Sequence, residues 1–410
     1  MTPTIKPRAD RPVAHQVLAT LSYGDAIGHE VLGIQQVLRD AGYSSEIFVE
    51  TADPSLECLT REFWELPDEA TANDLLIHHF SLASRASRTA YALPSRMALI
   101  YHNITPPEYL IDVHPSLALR CWEGRRELGA FVPRCDLALG DSEFNRQELE
   151  TFGFSQTAVL PVVPNFAHLD LEPDWNLASQ LNDGWTNILF VGRVIPHKRI
   201  EDLIRFFHAY RVAHNPRSRL LIVGSYAGFE DYLTMLDDLT ARLRTPDVYF
   251  VGQVTDAELV AFYNVADVFL CASEHEGFCV PLLEAFHERL PVIAHAATAV
   301  PDTMDGGGVL YNDKDPSFIA ALIDAIVSNQ ALCETILDAQ DAALNRFLDR
   351  DFAATLLGFV DEIRRRPHRP PWDVSPDFWQ QFDARCSGLT SSRSIKRSRM
   401  PRPWRLNSTS

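Results

Sequence analysis

Two glutamates, Glu276 and Glu284, flank the segment "GFCVPLL". Pro281 in that segment is typical of the first turn of a helix. Glu284 therefore lies where a carboxylate either complements the helix dipole or accepts hydrogen bonds from a ligand. Glu276 lies in the preceding glycine loop, without a cationic partner at helical spacing. A carboxylate in that position is suited to binding hydroxyl groups.

A second group of polar residues follows the apolar run "NILFV". Gly192 and Arg193 end this run, and Lys198 comes five residues after Arg193, just before a predicted helix. A glycine that lets the backbone approach a ligand, followed by an arginine and a lysine, suits a diphosphate at the end of a strand. From these residues alone, a surface turn with two solvated cations is the alternative.

Both groups of residues belong to a pattern of alternating strands and helices. Near the N-terminus, "AHQVLATLS", a glycine loop, "HEVLGIQQVLRDAGY" and "SSEIFVE" predict a βαβ unit, and the pattern begins again at "TNILFVGRV". The sequence thus predicts an α/β protein with two doubly wound domains. The predicted domains are residues 1–172 and 173–365, followed by a possible short helix in 366–385 and a basic, disordered tail in 386–410.

The charge distribution excludes one class of partner. The chain has a net charge of −18, although residues 364–410 hold eleven Lys or Arg against three Asp or Glu. An acidic body of this kind argues against nucleic acid as a partner. The basic tail, which includes Trp404, predicts either a solubilising segment or a peripheral contact with an anionic membrane.

The cysteines and the apolar runs indicate the compartment. The seven cysteines are scattered, without a CxxC pair, which is typical of reduced thiols. There is no apolar signal segment at the N-terminus and no uninterrupted apolar run near 18 residues. We therefore expect a cytoplasmic protein, with contact to the inner face of the plasma membrane as the open alternative.

The motifs "FVGRVIPHKRIEDLI", "LLIVGS", "YFVGQV" and "EGFCVPLLEAFHERLPVIA" resemble, in this order, the family 4 retaining glycosyltransferases. The resemblance covers about residues 13 to 365. It implies the GT-B fold, in which two Rossmann-like domains face each other across a cleft. It also implies a nucleotide diphosphate sugar as donor, a saccharide or lipid-linked saccharide as acceptor, and no cofactor.

The resemblance also implies roles for individual residues. Arg193 and Lys198 would clamp the diphosphate, Glu284 would bind the ribose, and Glu276 would contact the transferred sugar. His102, at the end of "LIYH", would face the sugar from the first domain. The remaining implied contacts with the nucleotide sugar come from Gly192, Gly277, Phe278, Cys279 and Val280.

Two positions depart from the family pattern. Family members often have two adjacent glycines in the first loop, where this chain has Asp25 and Ala26. Asp25 is therefore a candidate for contact with the acceptor or with a sugar hydroxyl. Cys279 stands where glycine is usual, which makes the backbone less free but leaves its NH group in place.

Other polar clusters favour structural roles. His78 and His79 are adjacent on a predicted strand, so they point to opposite faces and do not make a metal site. Two acidic pairs resemble the Asp-x-Asp metal signature of the other glycosyltransferase fold, namely Asp313 with Asp315 and Asp349 with Asp351. Each pair precedes a predicted helix, so we interpret them as helix caps and expect no metal.

The function implied is transfer of a hexose, with mannose or glucose as the family-level expectation, in the synthesis of a cell-surface polysaccharide or glycolipid. Two alternatives within the same fold are a sugar phosphorylase and a sugar-nucleotide epimerase. A third alternative, from another class, is a catalytically silent nucleotide-sugar-binding protein. Fold alone does not decide between them.

Overall fold

The structure is a computed structural model that describes residues 11–22, 26–162, 166–367, 374 and 378–382. In these residues the strands form two sheets, and every pairing between strands is parallel. The N-terminal sheet consists of β1 (Ala14–Leu21), β2 (Ile47–Ala52), β3 (Thr60–Glu62), β4 (Leu75–Phe80), β5 (Arg96–Tyr101), β6 (Leu137–Gly140) and β7 (Thr157–Val159). The helices around it are α1 (Ala26–Asp40), α2 (Leu66–Glu69), α3 (Arg85–Ala92), α4 (Pro115–Ala130) and α5 (Glu143–Thr151).

The C-terminal sheet consists of β8 (Thr186–Val191), β9 (Ser218–Val223), β10 (Val248–Gly252), β11 (Val268–Cys271), β12 (Val292–His295) and β13 (Val309–Tyr311). Helix α6 (Trp175–Leu181) precedes it, and the helices between its strands are α7 (Ile200–Ala213), α8 (Glu230–Leu243), α9 (Asp256–Val265), α10 (Val280–His287) and α11 (Val300–Met304). After the sheet come α12 (Pro316–Ser328), α13 (Gln330–Leu348) and α14 (Phe352–Arg365).

The strand order identifies two doubly wound sheets. The order is β3-β2-β1-β4-β5-β6-β7 in the first and β10-β9-β8-β11-β12-β13 in the second. In each sheet the order reverses between two adjacent strands, β1 and β4 in the first and β8 and β11 in the second. A crevice opens at such a switch point, beyond the carboxyl ends of the strands. The predicted pair of Rossmann-like domains, the GT-B fold, is confirmed.

Apolar composition explains why these strands lie inside the protein. Seven of the eight residues of β1 are buried, as are all six of β4 and of β9. Strands covered by helices on both faces are largely apolar, in contrast to the alternation of half-exposed strands, and the polar residues buried on β1 and β4 bond one another. The central strands therefore form rigid platforms, and the polar residues that follow them lie at the sheet edge.

The last long helix returns to the first domain. Leu356, Val360 and Ile363 on α14 are buried in one apolar cluster with residues of β4 and β5, including Ile77 and Ile100. Burial of each such aliphatic side chain contributes about 1.5–3 kcal/mol. This packing fixes α14 on the first domain. The domain boundaries given above remain predictions.

Part of the predicted 366–385 segment is described. Residues Phe378–Gln381 form a single 3₁₀ turn, and the rings of Phe378 and Trp379 pack 5.3 and 5.1 Å from the ring of Tyr91 in the first domain. Residues 386–410, including the basic tail, lie outside the described residues.

The helix caps agree with the interpretation of the acidic pairs. Asp315 accepts hydrogen bonds from the backbone of Ser317 and Phe318 at the start of α12, and Asp351 accepts one from Ala354 at the start of α14. The cap prediction is confirmed for these two residues. By length and composition, no single helix of the described residues could cross a membrane, although α12 together with 330–365, bent by 96°, passes the same test.

Candidate active site

The residues predicted to bind the diphosphate and the sugar lie at the switch point of the second sheet. Lys198 ends a 3₁₀ turn that follows β8, and Glu276 lies in the loop that follows β11. Because β8 and β11 are hydrogen-bonded neighbours, their carboxyl ends bring the two side chains together. The sequence places them 78 residues apart, so the sheet topology is what makes them partners.

Lys198 and Glu276 form a buried ion pair. The Lys198 ammonium nitrogen lies 2.5 Å from Oε1 and 2.7 Å from Oε2 of Glu276. The two side chains are only 16% and 7% exposed. Burial disfavours the charged ammonium, but the Glu276 carboxylate outweighs that effect and holds the pKa of Lys198 above its ordinary value. Lys198 is therefore a fixed, permanent cation at the sheet edge.

The backbone comes unusually close at the ends of β8 and β9. A Cβ atom on Gly224 would lie 2.2 Å from the Gly192 carbonyl oxygen, and both residues have positive φ, 139° and 150°. Only glycine fits this approach. Arg193 comes next, with its guanidinium carbon 5.7 Å from the centre of the Phe229 ring. The close approach therefore places Arg193 at the same edge as Lys198.

Ion pairs hold the loop that carries Glu276. The Lys314 ammonium lies 2.9 Å from Glu274 and 3.1 Å from both Asp202 and the Ala272 carbonyl oxygen. The backbone NH of Glu276 donates to the Thr298 hydroxyl at 2.8 Å. These contacts fix residues 272–276 against α7 and the turn after β12, so Glu276 is preorganised rather than mobile.

Helix α10 begins at the same place. Cys279 caps it with φ 80°, in the left-handed region that L-residues rarely adopt, and Val280 and Pro281 start the first turn. The first NH groups of a helix lack acceptors within that helix, and the helix dipole is positive there. The predicted contacts at Phe278, Cys279 and Val280 are thus grouped at a helix N-terminus that can receive an anion.

Glu284, one turn into α10, is held on both oxygens. Oε2 accepts a hydrogen bond from the Tyr263 hydroxyl at 2.8 Å, and Oε1 lies 3.0 Å from Nε2 of His168. A carboxylate has about four acceptor positions, so two remain for a ligand. Burial and the neighbouring Glu284 carboxylate raise the pKa of Tyr263 well above its ordinary value, which keeps its hydroxyl a donor.

His102 lies at the carboxyl end of β5, in a buried polar chain of the first domain. Its Nδ1 is 3.0 Å from Asp141 and 3.7 Å from Glu30, and its Nε2 is 2.9 Å from Nδ1 of His79. The His102 side chain is 1% exposed. A bond from this ring to a sugar would require exchange of one of these partners. Its predicted role facing the sugar stays a prediction.

The hydrogen-bond partners determine which ring nitrogens of His79 and His102 carry protons. Gln16 donates its amide NH to the Val31 carbonyl, so its amide oxygen faces Nε2 of His79 at 2.9 Å. Burial holds the pKa of His79 well below its ordinary value, so the ring is neutral and Nε2 carries its proton. Nδ1 of His79 must then accept a bond from Nε2–H of His102. On the other side of the ring, Nδ1 of His102 is within hydrogen-bond distance of the Asp141 carboxylate, at 3.0 Å.

Glu30 makes the free energy of unfolding of the protein depend on pH. Burial and the adjacent Asp141 raise the pKa of Glu30 to about 8, against the lowering effect of His102. Between the ordinary glutamate pKa and about 8, the folded protein holds a proton that the unfolded chain releases. Stability is therefore fully present at acidic pH and falls as pH rises through 8. We expect Glu30→Gln, which cannot ionise, to flatten this decline in urea unfolding at pH 5.5, 7 and 8.5.

The matched control for that experiment is Glu62→Gln, because Glu62 is exposed on the first sheet. It should leave the pH dependence of the wild-type protein unchanged. Parallel stability curves for the wild-type protein and Glu30→Gln over this pH range would show that Glu30 is ionised in the folded state.

His78 and His79 point to opposite faces of β4, as predicted. His78 bonds the Ser87 hydroxyl at 2.9 Å and packs 5.0 Å from the Phe131 ring, whereas His79 bonds Gln16 and His102. The two rings therefore do not share a ligand site.

The two domains contact each other next to the ion pair. Asn103, which follows His102 with φ 61°, bonds His275 across the domain interface, and its amide also donates to Asn145 at 2.8 Å. A Cβ atom on Gly277 would lie 2.8 Å from Cβ of Asn103. Gly277 is thus required for the close approach of the two domains at Asn103.

Two groups of side chains in the described residues have donor atoms close enough for a metal ion. In each group the ligand atoms lie within 4.8 Å of one another, and the groups are Cys271, Glu276 and Cys279 in the second domain and Glu30, His102 and Asp141 in the first. Both oxygens of Glu276 already bind the Lys198 ammonium, and Asp141 and His102 are bonded to each other. Each group thus contains at least one side chain that already bonds another protein side chain.

The structure brings together most of the residues singled out from the sequence. Lys198 and Glu276 are in direct contact, and Gly192, Arg193 and the start of α10 lie at the same switch point. Asp25 lies outside the described residues. The role of each residue stays a prediction.

Sequence reasoning missed the partners that hold these side chains. Among them are Tyr263, His168, Glu30, Asp141 and Asn103. Asp141 had a signal, because it follows the apolar run "LALG" at the end of a predicted strand. Tyr263 and His168 had none, since both reach Glu284 from other segments.

The second domain is similar in sequence to known proteins. Residues 174–340 match the family described as glycosyl transferases group 1. A curated relative, the O-antigen chain mannosyltransferase B of Escherichia coli, is 26% identical over 275 residues, which are 64% of this chain and 67% of the relative.

Solved structures agree in fold. The sucrose-phosphate synthase from Thermosynechococcus elongatus superimposes with a TM-score of 0.66 and 19% identity, over 86% of this chain and 98% of that protein. The Anabaena protein HepE, solved in complex with UDP and glucose, gives a TM-score of 0.64 and 17% identity, over 86% and 99% of the two chains. At these identities the likeness concerns the fold.

Proposed function

We propose that the protein moves a hexose from a nucleoside diphosphate sugar to a saccharide or lipid-linked saccharide, with retention of anomeric configuration and without a metal ion, because residues 174–340 match the family described as glycosyl transferases group 1. The observation that carries the proposal is the buried Lys198–Glu276 pair at the switch point of the second sheet. The matching relative from Escherichia coli is a mannosyltransferase and HepE was solved with UDP and glucose, so mannose and glucose are the first sugars to test.

The leaving diphosphate is where a fixed cation has the largest effect. Cleavage of the bond between sugar and phosphate builds negative charge on the phosphate oxygen. Lys198, Arg193 and the first NH groups of α10 would stabilise that charge without reorganisation. This supply of positive charge supports a reaction that needs no metal ion.

Glu284 would fix the nucleoside. Its two remaining acceptor positions suit the two neighbouring hydroxyls of a ribose, while Tyr263 and His168 keep the carboxylate oriented. Binding at this distance from the reacting bond positions the donor, and positioning alone can contribute several kcal/mol to the rate.

Glu276 would act on the sugar itself. With both oxygens on Lys198, it holds the cation in place, and it would also accept bonds from hydroxyls of the donor sugar. We propose attack by the acceptor hydroxyl on the same face from which the phosphate departs, with the phosphate oxygen taking the proton. Contact between the domains at Gly277 and Asn103 supports exclusion of water, which would otherwise hydrolyse the donor.

A screen of donors tests the proposal. We expect GDP-, UDP- or ADP-hexoses to raise the melting temperature of the protein, with one base preferred, and nuclear magnetic resonance of the product to show the anomeric configuration of the donor. Glu284→Gln should weaken binding of the preferred nucleotide about tenfold, because two charged hydrogen bonds become neutral ones. Glu288→Gln, at the end of the same helix, is the matched control and should bind as the wild-type protein does.

Each other outcome identifies a different function. Turnover of the donor without an acceptor would indicate an epimerase, and turnover that depends on free phosphate would indicate a phosphorylase. Binding without turnover under any condition would indicate a nucleotide-sugar-binding protein. An inverted product, or activity abolished by a chelator, would contradict the proposed stereochemistry or the independence from metal.

A further inference from the structure

Two thiols face each other beneath the loop that carries Glu276. Cys271 ends β11 and is 1% exposed, while Cys279 is partly exposed and caps α10. Their sulfur atoms and a carboxylate oxygen of Glu276 all lie within 4.8 Å of one another. The loop 272–278 connects the two cysteines, so any change in the distance between the sulfurs acts on that loop.

The environment of this pair differs from that of inert buried thiols. A hydrogen bond from Cys279 lowers the pKa of Cys271 despite its burial, and the Ser273 hydroxyl adds to the effect from 3.4 Å. The same bond and burial raise the pKa of Cys279 well above its ordinary value, although the Lys198 cation opposes this. The hydrogen bond from Cys279 thus favours ionisation of Cys271 over ionisation of Cys279.

We propose that Cys271 and Cys279 form a reversible disulfide that stops glycosyl transfer. The inference goes beyond the proposed function but rests on it for its effect on activity. Cys279 is also the position where this chain has a side chain and the family pattern has glycine, so the pair is a property of this sequence.

A peroxide is the oxidant in this reaction. The Cys271 thiolate attacks one oxygen of hydrogen peroxide, the O–O bond breaks, and Cys271 becomes a sulfenic acid while the hydroxide released takes the proton of Cys279. The Cys279 thiolate then attacks the Cys271 sulfur, an S–S bond forms, and the second hydroxide leaves and is protonated to water. Two thiols and one peroxide give one disulfide and two waters, and a dithiol reductant reverses the change.

Formation of this bond would displace the donor site. A disulfide requires its two sulfurs to approach to about 2.05 Å, with the Cβ atoms about 3.8 Å apart. The start of α10 or the end of β11 must shift to meet this geometry, and the rigid sheet makes the start of α10 the part that moves. Glu276 and the NH groups of Cys279 and Val280 move with it. A displacement of about 1 Å at a reacting group lowers the rate about 10²-fold.

The experiment treats the full-length protein with hydrogen peroxide and then with dithiothreitol. A protease that cleaves after glutamate cuts between the two cysteines, at Glu274 or Glu276, so the disulfide joins two peptides that mass spectrometry detects. We expect this joined pair of peptides after oxidation, a loss of transfer of at least about tenfold, and recovery of activity with dithiothreitol.

Cys271→Ser separates the disulfide from other oxidative damage. In the reduced state this variant should transfer within about threefold of the wild-type rate, because serine fills nearly the same volume, and peroxide should no longer inactivate it. Cys58→Ser removes an exposed thiol and is the matched control, which should be inactivated as the wild-type protein is. If Cys271→Ser fails to fold, Cys279→Gly replaces it. Its activity after peroxide treatment, divided by its activity before treatment, should be near one.

The outcomes distinguish this inference from the proposed function. Absence of the joined peptides under conditions that oxidise Cys58 overturns the disulfide, and so does equal inactivation of Cys271→Ser. If the reduced protein transfers no sugar, the proposed function fails. In that case the joined peptides still test whether the disulfide forms. Its effect on the donor site is tested by the rise in melting temperature that UDP or GDP causes, which the oxidised protein should lose. An undiminished rise in the oxidised protein would contradict the proposed effect of the disulfide.

Discussion

Lys198→Ala is expected to lower glycosyl transfer at least about 10²-fold, because removal of a preorganised charge at a leaving group costs about 3–4 kcal/mol of transition-state stabilisation. The ammonium lies within 2.7 Å of both Glu276 oxygens, and the pair is at the carboxyl ends of two adjacent strands. The measurement is kcat/KM for the donor, compared with the wild-type protein at saturating acceptor.

The buried pair complicates this substitution. Without Lys198, Glu276 remains buried without its cation, and breaking a buried pair in this way costs about 3–5 kcal/mol of folding stability. Low activity could then reflect loss of folding. The double variant Lys198→Ala with Glu276→Gln removes both charges, so we expect it to regain stability in urea unfolding while it remains inactive.

The matched control for Lys198 is Arg205→Ala on α7. Arg205 is a cation of the same domain that pairs with Asp202 at 2.8 Å, but its side chain is 46% exposed. Exposed pairs contribute little, so activity should stay within about twofold of wild type. If Lys198→Ala retains transfer within about threefold of wild type, Lys198 has no part in binding the diphosphate.

Much of the fold was predictable because its signals are local. Buried parallel strands contain short apolar runs, such as "LLIV" in β9 and "VFLC" in β11, and the glycines, prolines and charges that follow β8 and β11 mark the ends of strands in a doubly wound sheet. Lys198 and Glu276 were predictable as candidates for the same reason. That they touch each other follows from the order of strands in the sheet.

The residues that hold the site side chains in place could not be predicted from local sequence patterns. Tyr263 approaches Glu284 from α9, and His168 approaches it from the segment that joins the two domains. The chain from Gln16 through His79 to His102 crosses three strands, and its proton positions depend on bonds between them. The spacing of these residues in the sequence has no period, so only the folded protein shows which groups are partners.

Glu276→Gln is expected to lower kcat about 10²-fold while donor affinity changes by less than about threefold, because the neutral amide keeps the shape but loses the charge. Positive charge develops at the anomeric carbon as the bond to phosphate breaks. A carboxylate beside the sugar stabilises that charge more in the transition state than in the bound donor. The measurements are kcat at saturating donor and the dissociation constant of the donor in the absence of acceptor.

The matched control is Glu274→Gln, two residues earlier in the same loop. Its carboxylate bonds Lys314 at 2.9 Å and is 30% exposed, so its loss should lower kcat far less than the loss of Glu276. A raised KM with unchanged kcat in Glu276→Gln would mean that Glu276 contributes equally to substrate and transition state, and acts only as the anchor of Lys198.

The pH dependence of Glu276→Gln distinguishes these two roles further. In the wild-type protein, Glu276 is what holds the pKa of Lys198 high against its burial. Without that carboxylate, burial favours the neutral amine, so the pKa of Lys198 must fall. The residual activity of Glu276→Gln should therefore decrease as pH rises, at pH values where the wild-type protein keeps its cation. If Glu276 acted on the sugar alone and not through Lys198, the variant and the wild-type protein would show the same profile, displaced by a constant factor.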